Sequence, residues 1–150
     1  NYAKQIAWYC AGKTPVVYAS NLFGSIAFKW KISFNESSKN VAWWNVLPEF
    51  NHNEFIGWSS HPVEKPYAIL DLRSNFDHPQ IQKRFEISDR LLSGQRPAAK
   101  SIQLEGDSVI KQMLWGCVLA DYTSSYLGLL NGVDPVPVEL VEKLKVELVK

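Results

Sequence analysis

The residues able to do chemistry crowd into one stretch, Asn35–Trp58, NESSKNVAWWNVLPEFNHNEFIGW. It sets three carboxylates (Glu36, Glu49 and Glu54), one histidine (His52) and several asparagines among Trp, Val, Leu and Phe. Charged and amide groups are costly to bury unless they are partnered, so the block is either a satisfied polar network or a working site. A carboxylate held at the end of a helix or strand can act as a general base when its surroundings tune its affinity for a proton. Glu36 fits that description. It falls about 220° round a helix from a core stripe that begins at Phe23, near Lys29 and away from the core. The plainer alternative is a solvated helix glutamate.

His52, between Asn51 and Asn53, invites a metal site with Glu49 and Glu54, as in a metal-dependent hydrolase. No second His or Cys stands three or four residues away, so the spacing does not support a metal, and a hydrogen-bonded structural histidine is the simpler expectation. His61 and His78 lie in Pro-bounded loops and suggest no role. Asp121, inside an apolar run, reads as a buried acid hydrogen-bonded to a neighbouring loop. Tyr18–Ser25, YASNLFGS, opens a helix with Ser20, Ser25 and a glycine, a place where an anion can sit. Its spacing matches neither dinucleotide-binding nor nucleotide-phosphate loops. Lys143, Lys145 and Lys150 are by default a solvated face that complements a helix dipole.

These residues need elements to hold them. Tyr2–Ala11 reads as a helix stopped by Gly12, and Thr14–Ala19 as a buried strand. Ser20-Asn21 then offer a cap for a helix whose Phe23, Ile26, Ala27, Trp30 and Phe34 form one stripe. Phe28 and Ile32 fall on its other side, which predicts a helix buried on two faces. Val41–Leu47 is a second strand closed by Pro48, followed by a short helical piece at Asn51–Ile56 and a loop, WSSHPVEKP. Tyr67–Leu72 is a third strand. Asp77 caps a helix with Pro79 in its first turn, running through Ile81, Phe85, Leu91 and Leu92 to Gly94. A weaker strand follows at Ser101–Leu104. The longest helix, capped by Ser108, runs to about Leu130, and a terminal helix carries Leu140, Val141, Leu144 and Leu148 on one side. Apolar strands alternating with helices, with no hairpin dipeptides, predict an α/β fold with a mostly parallel sheet.

With 150 residues the chain fits one domain, and 46% hydrophobic with 21% charged residues is an ordinary globular composition. A formal net charge of +1 and the lack of a basic run give no footprint for nucleic acid. No apolar run is long enough to span a bilayer, and no signal peptide is visible, so the expected compartment is the cytoplasm. Cys10 and Cys117 are read as buried free thiols. The start at Asn1 suggests a domain cut from a longer chain.

Several stretches, in order, resemble one family. AFKWKISFNESSK, LPEFNHNEFIGW and ADYTSSYLGLLNGVDPVPVELVEKLK, after the opening NYAKQIAWYCAGKTPVVY, look like the second sugar-isomerase (SIS) domain of the bifunctional phosphoglucose/phosphomannose isomerases. The resemblance spans essentially the whole chain. It implies a three-layer αβα sandwich of flavodoxin-like type, forming the C-terminal half of a two-domain enzyme. It also implies aldose–ketose isomerisation of a hexose 6-phosphate through a cis-enediol, without a cofactor or metal. On the matching motifs, Glu36 is the base, His52 assists ring opening and Lys145 supports it, with Lys143 the neighbouring alternative; Lys29, Ser20 and Asn35 are the expected substrate-binding residues. The family's Arg is Lys29 here, its second Asn is Ser37 and its Thr is Val136; Lys29 keeps the charge and loses the bidentate fork. The Ser/Thr-rich phosphate loop belongs to the family's first domain, and its active site also draws on a partner subunit. The expected partners are thus that N-terminal SIS domain and a second copy in a homodimer. A non-catalytic sugar-phosphate-binding or dimerisation module is the competing possibility.

Overall fold

In the computed structural model, which describes residues 1–60 and 64–149, a four-stranded, all-parallel sheet lies between two layers of helices. The elements are α1 (Tyr2–Cys10), β1 (Thr14–Ser20), α2 (Gly24–Ser37), β2 (Trp43–Leu47), α3 (Glu49–His52), α4 (Glu54–Gly57), β3 (Tyr67–Arg73), α5 (Pro79–Leu91), β4 (Lys100–Gln103), α6 (Val109–Leu130) and α7 (Glu139–Leu148). A 3-10 turn, Asn21–Phe23, joins β1 to α2. The strand order is β2-β1-β3-β4. The two central strands are apolar on both faces because helices cover both, and they are buried from Pro15 to Ser20 and from Ala68 to Leu72. Parallel pairing demands a crossover after each strand, which the helices supply.

One face of the sheet is covered by α1, α2 and α6, packed around Val17, Ala19, Leu70, Leu72, Trp30 and Phe34. Trp30 is fully buried, and its indole N–H donates to the Gly116 carbonyl at 2.9 Å, which locks α2 to α6. The two helices run side by side in the same direction: Ile26 meets Gly116 near their starts and Ser37 meets Gly128 near their ends. The other face packs Val16, Tyr18, Leu47 and Ile69 against Phe50, Trp58, Phe85 and Leu92.

The predicted fold class stands: this is the expected αβα sandwich. Several local expectations change. The short helical piece is two single turns, α3 and α4, broken at Asn53. His78, not Asp77, caps α5, its Nδ1 accepting from the Gln80 amide at 3.1 Å. Asp77 turns inward and accepts from the Ser74 amide at 3.1 Å. Phe28 is 43% exposed and leans on Trp44, so α2 buries one face and not two. Asp121 is not a buried acid on a loop; its side chain is 58% exposed and pairs with Lys29, while accepting from the Ser33 hydroxyl at 2.9 Å. Cys10 is buried and unbonded as expected, and burial pushes its thiol up to about 12; Cys117 is also free but only partly buried. His61 and Lys150 fall outside the described residues, as does part of the loop around His61. No helix among the described residues is long and apolar enough to cross a membrane.

Candidate functional site

Glu36 stands one residue before the end of α2, at the amino edge of the sheet. Two hydrogen bonds fix that end. Asn35 Oδ1 accepts from the Ala42 amide at 3.2 Å, and Asn40 Nδ2 donates to the Lys13 carbonyl, just ahead of β1, at 3.1 Å. The neighbouring Ser37 carbonyl abuts Gly128 so closely that a Cβ there would lie 2.7 Å from it. Glycine is therefore what allows α6 to seat against the turn that carries Glu36. Glu36 is exposed and borders a groove of about 720 Å³. Asn35, Lys39 and Asn40 form one wall, and Val133, Pro137 and the first turn of α7 the other.

Lys39 is the residue that motif reasoning passed over. It adopts φ 53°, a left-handed conformation uncommon for a residue with a side chain. Its ammonium donates to the Glu36 carbonyl and reaches the Pro135 carbonyl at 3.3 Å, tying the end of α2 to the segment before α7. A lysine three residues after the glutamate was visible in NESSK, but only the turn shows that it doubles back.

The other expected site residues are dispersed. His52 ends α3, beyond the carboxyl end of β2. Since β2 runs parallel to β1, with Leu47 beside Ser20, His52 and Glu36 lie at opposite edges of the sheet. Five strand residues separate those edges by about 16 Å. His52 is exposed and makes no side-chain hydrogen bond among the described residues. Its carboxylate neighbours are engaged elsewhere: Asn53 donates to Glu49 at 2.6 Å, and Glu54 accepts from the Tyr18 hydroxyl and from Asn45 at 2.7 Å. Among the described residues no three His, Cys, Asp or Glu side chains are placed to share a metal ion.

Lys145 lies two turns into α7, paired with Glu142 at 2.7 Å and exposed. No residue of α7 is buried, so packing within the described residues does not aim Lys145 at Glu36. Asn35 adjoins Glu36. Lys29 is two turns back along the same face of α2, held by Asp121 and donating to Ser33 at 2.8 Å. Ser20 sits at the carboxyl end of β1, 3% exposed. Its hydroxyl is near enough to Asp77 to favour the charged carboxylate, which burial otherwise pushes up. It lies outside hydrogen-bonding geometry, however, and has no partner among the described residues. Ser20 is not the side-chain cap of the following turn.

Comparison with known proteins decides the lineage. The family model described as "Bacterial phospho-glucose isomerase C-terminal SIS domain" matches residues 1–148. This chain belongs to that family. The SIS domain is 37% identical over 98% of its length to the bifunctional phosphoglucose/phosphomannose isomerase of Aquifex aeolicus, covering 46% of that protein. It is 31% identical over 89% of its length to the enzyme of the same name from Thermoplasma volcanium, covering 42% of it. The SIS domain thus spans a little under half the length of these curated relatives. In structure it resembles a glucose-6-phosphate isomerase like protein from Thermus thermophilus, with a TM-score of 0.72 over 90% of this chain and 45% of the other. At 21% identity that likeness speaks to the fold.

Proposed function

We propose that this chain is the C-terminal half of an aldose–ketose isomerase that interconverts glucose 6-phosphate or mannose 6-phosphate with fructose 6-phosphate. The observation that carries the proposal is the placement of Glu36. Glu36 borders the groove between α2 and α7, on a helix end braced by Asn35, Lys39, Asn40 and the close seat of Gly128. A base for carbon-bound protons must be held within reach of its target, and a braced helix end provides that.

In the proposed reaction the ring of the hexose phosphate opens first. The proton moves from the anomeric hydroxyl to the ring oxygen as the ring C–O bond breaks, and His52 of a second copy is suited to shuttle it, since within one chain it lies at the opposite edge of the sheet from Glu36. The Glu36 carboxylate then takes the proton from C2 of the open aldose. The electron pair left at C2 forms the C1–C2 double bond as the carbonyl oxygen is protonated, giving a cis-enediol. Returning the proton from Glu36 to C1, with loss of the O2 proton, gives the ketose. Lys145 would stabilise charge developing on the oxygens, and Asn35 and Lys29 would contribute binding on the α2 side. The phosphate grip belongs to an N-terminal SIS domain that this chain would share a polypeptide with. The working unit is a cytoplasmic homodimer feeding glycolysis and gluconeogenesis.

The test is Glu36→Gln in the complete protein. Isomerisation should fall about 10²–10⁴-fold, while a hexose 6-phosphate still binds by calorimetry. Near-normal turnover would remove Glu36 from the chemistry. Normal binding by a wild-type protein that never turns substrate over would favour a non-catalytic binding or dimerisation module.

A further inference from the structure

Helix α6 is turned inside out. The face it buries carries Gln112, Gly116, Ala120, Thr123, Ser124 and Gly128 along with Leu119 and Leu127, mostly small or polar side chains that allow close approach to α1 and α2. The face it leaves in solvent carries Ile110, Leu114, Val118, Tyr122 and Leu129, each 55–65% exposed. From Ile110 to Leu129 this apolar strip is about 28 Å long, comparable to the width of a small domain. Large apolar side chains on the outer face of a helix are ordinarily covered, and a contiguous strip of this size marks a contact surface.

Where the strip meets the chain's first residues identifies what covers it. Asn1, Tyr2 and Ala3 line a hollow of about 370 Å³ together with Glu105, Trp115, Val118, Leu119 and Tyr122. Polypeptide joined ahead of Asn1 therefore leaves the domain beside the middle of the strip. The curated relatives extend to about twice this chain's length, and the matching family model describes a C-terminal domain. A domain tethered at that point faces the strip at an effective concentration on the order of millimolar. A second copy has no such advantage.

We infer that the Ile110–Leu129 face of α6 is the seat of the N-terminal SIS domain of the same polypeptide. The assignment rests on the two-domain reading above and adds to it which face the missing domain takes.

The experiment uses the full-length protein with a protease site inserted immediately before Asn1, as wild type and as the Leu114→Glu, Val118→Glu double variant. After cleavage the wild-type halves should co-elute on size exclusion, and the variant halves should separate, their association at least about ten-fold weaker. Light scattering on the uncut proteins reads the oligomer. If the variant changes from dimer to monomer while its cut halves stay together, the face belongs to a second copy and the inference falls. Because two buried glutamates can prevent folding altogether, carbene footprinting of wild type gives an independent reading. Leu114, Val118 and Tyr122 should be protected even at dilutions where the protein is monomeric, and labelling in the monomer with protection only in the dimer overturns the inference. An encoded chain with no preceding domain would overturn both the inference and the two-domain reading. Full activity in Glu36→Gln would overturn the catalytic assignment while leaving the docking face standing.

Discussion

Gly128→Ala tests how Glu36 is held without touching Glu36 itself. The added methyl would lie 2.7 Å from the Ser37 carbonyl oxygen and 3.2 Å from Pro135 Cγ. A carbon–oxygen contact relaxes only at about 3.3 Å or beyond, so the end of α2 must retreat from α6 by about half an ångström. The neighbour is backbone and cannot rotate away. Overpacking of this kind costs about 1–3 kcal/mol, offset by the roughly 1 kcal/mol that alanine gains over glycine inside a helix. The net loss, about 0–2 kcal/mol, corresponds to a fall in Tm of up to about 8 °C. Activity should suffer more than stability, because Ser37 adjoins Glu36 and the groove's far wall includes the Pro135 segment. A displacement of 1 Å at a reacting group can cost about 10²-fold, so about a ten-fold loss of kcat is expected, with KM little changed. Gly116→Ala is the control. Its methyl meets Ile26 Cγ2 at 2.8 Å and Leu104 Cδ2 at 3.3 Å, so it too overpacks the α2–α6 contact, but near the start of α2 and remote from Glu36. It should leave kcat unchanged. Steady-state isomerisation and thermal melts of both variants decide the matter: Gly128→Ala with full activity, or equal losses in both variants, would refute the claim that this contact positions the base.

Three further outcomes follow from the geometry. Burial pushes the Asp71 carboxyl up to about 7 against the opposing pull of Arg96. The folded chain therefore holds that proton more tightly than the unfolded one, whose carboxyl titrates near 3.9. The contribution is fully present below about pH 4 and is lost as pH rises to about 7, so Asp71→Asn should flatten that slope by a few kcal/mol at most, read by urea titration at pH 5 and pH 8. Tyr18→Phe removes the donor to Glu54 and the acceptor of the Trp58 indole at 3.1 Å, and should cost about 1–3 kcal/mol in the same assay. Asp121→Asn breaks an ion pair whose partners are 35% and 58% exposed, so its loss should fall below about 1 kcal/mol; a larger loss would mean the pair is covered by something else in the intact protein.

The fold was legible because its signals are local and repeated. The β-branched run at Thr14–Ala19, the stripe through Trp30 and Phe34, and the stops at Gly12 and Gly94 each describe a few consecutive residues, and all agree on alternating strands and helices. What the sequence hid depends on contacts between distant residues. Asp121 is exposed because the ridge of α2 presents Lys29 and Ser33 to it, and nothing around Asp121 announces a partner 92 positions away. Asp77 lost the cap to His78 because its carboxylate finds the Ser74 amide instead. The periodicity of α6 is uninformative, since its large apolar residues do not mark the buried face; only packing reveals that its small residues face in and its large ones out.

The separation of Glu36 from His52 has the sharpest consequence for the site. In sequence, Glu36 and His52 sit 16 positions apart and look like parts of one cluster. In space those positions contain a helix end, a loop, the whole of β2 and the turn of α3, so the two residues end at opposite edges of the sheet. No flexing of a side chain spans about 16 Å of strand. If both act on one substrate, His52 must come to Glu36 from a second copy. Mixed dimers test this. A Glu36→Gln subunit still offers its His52, and a His52→Asn subunit still offers its Glu36, so a dimer of the two has one wild-type site and one doubly disabled site. With random exchange half the dimers are mixed, and about a quarter of wild-type activity should return from two inactive preparations. Sites assembled within one chain would leave every site with one defect. Mixtures no more active than their components, with exchange of subunits verified by mass, would place His52 outside the chemistry of Glu36.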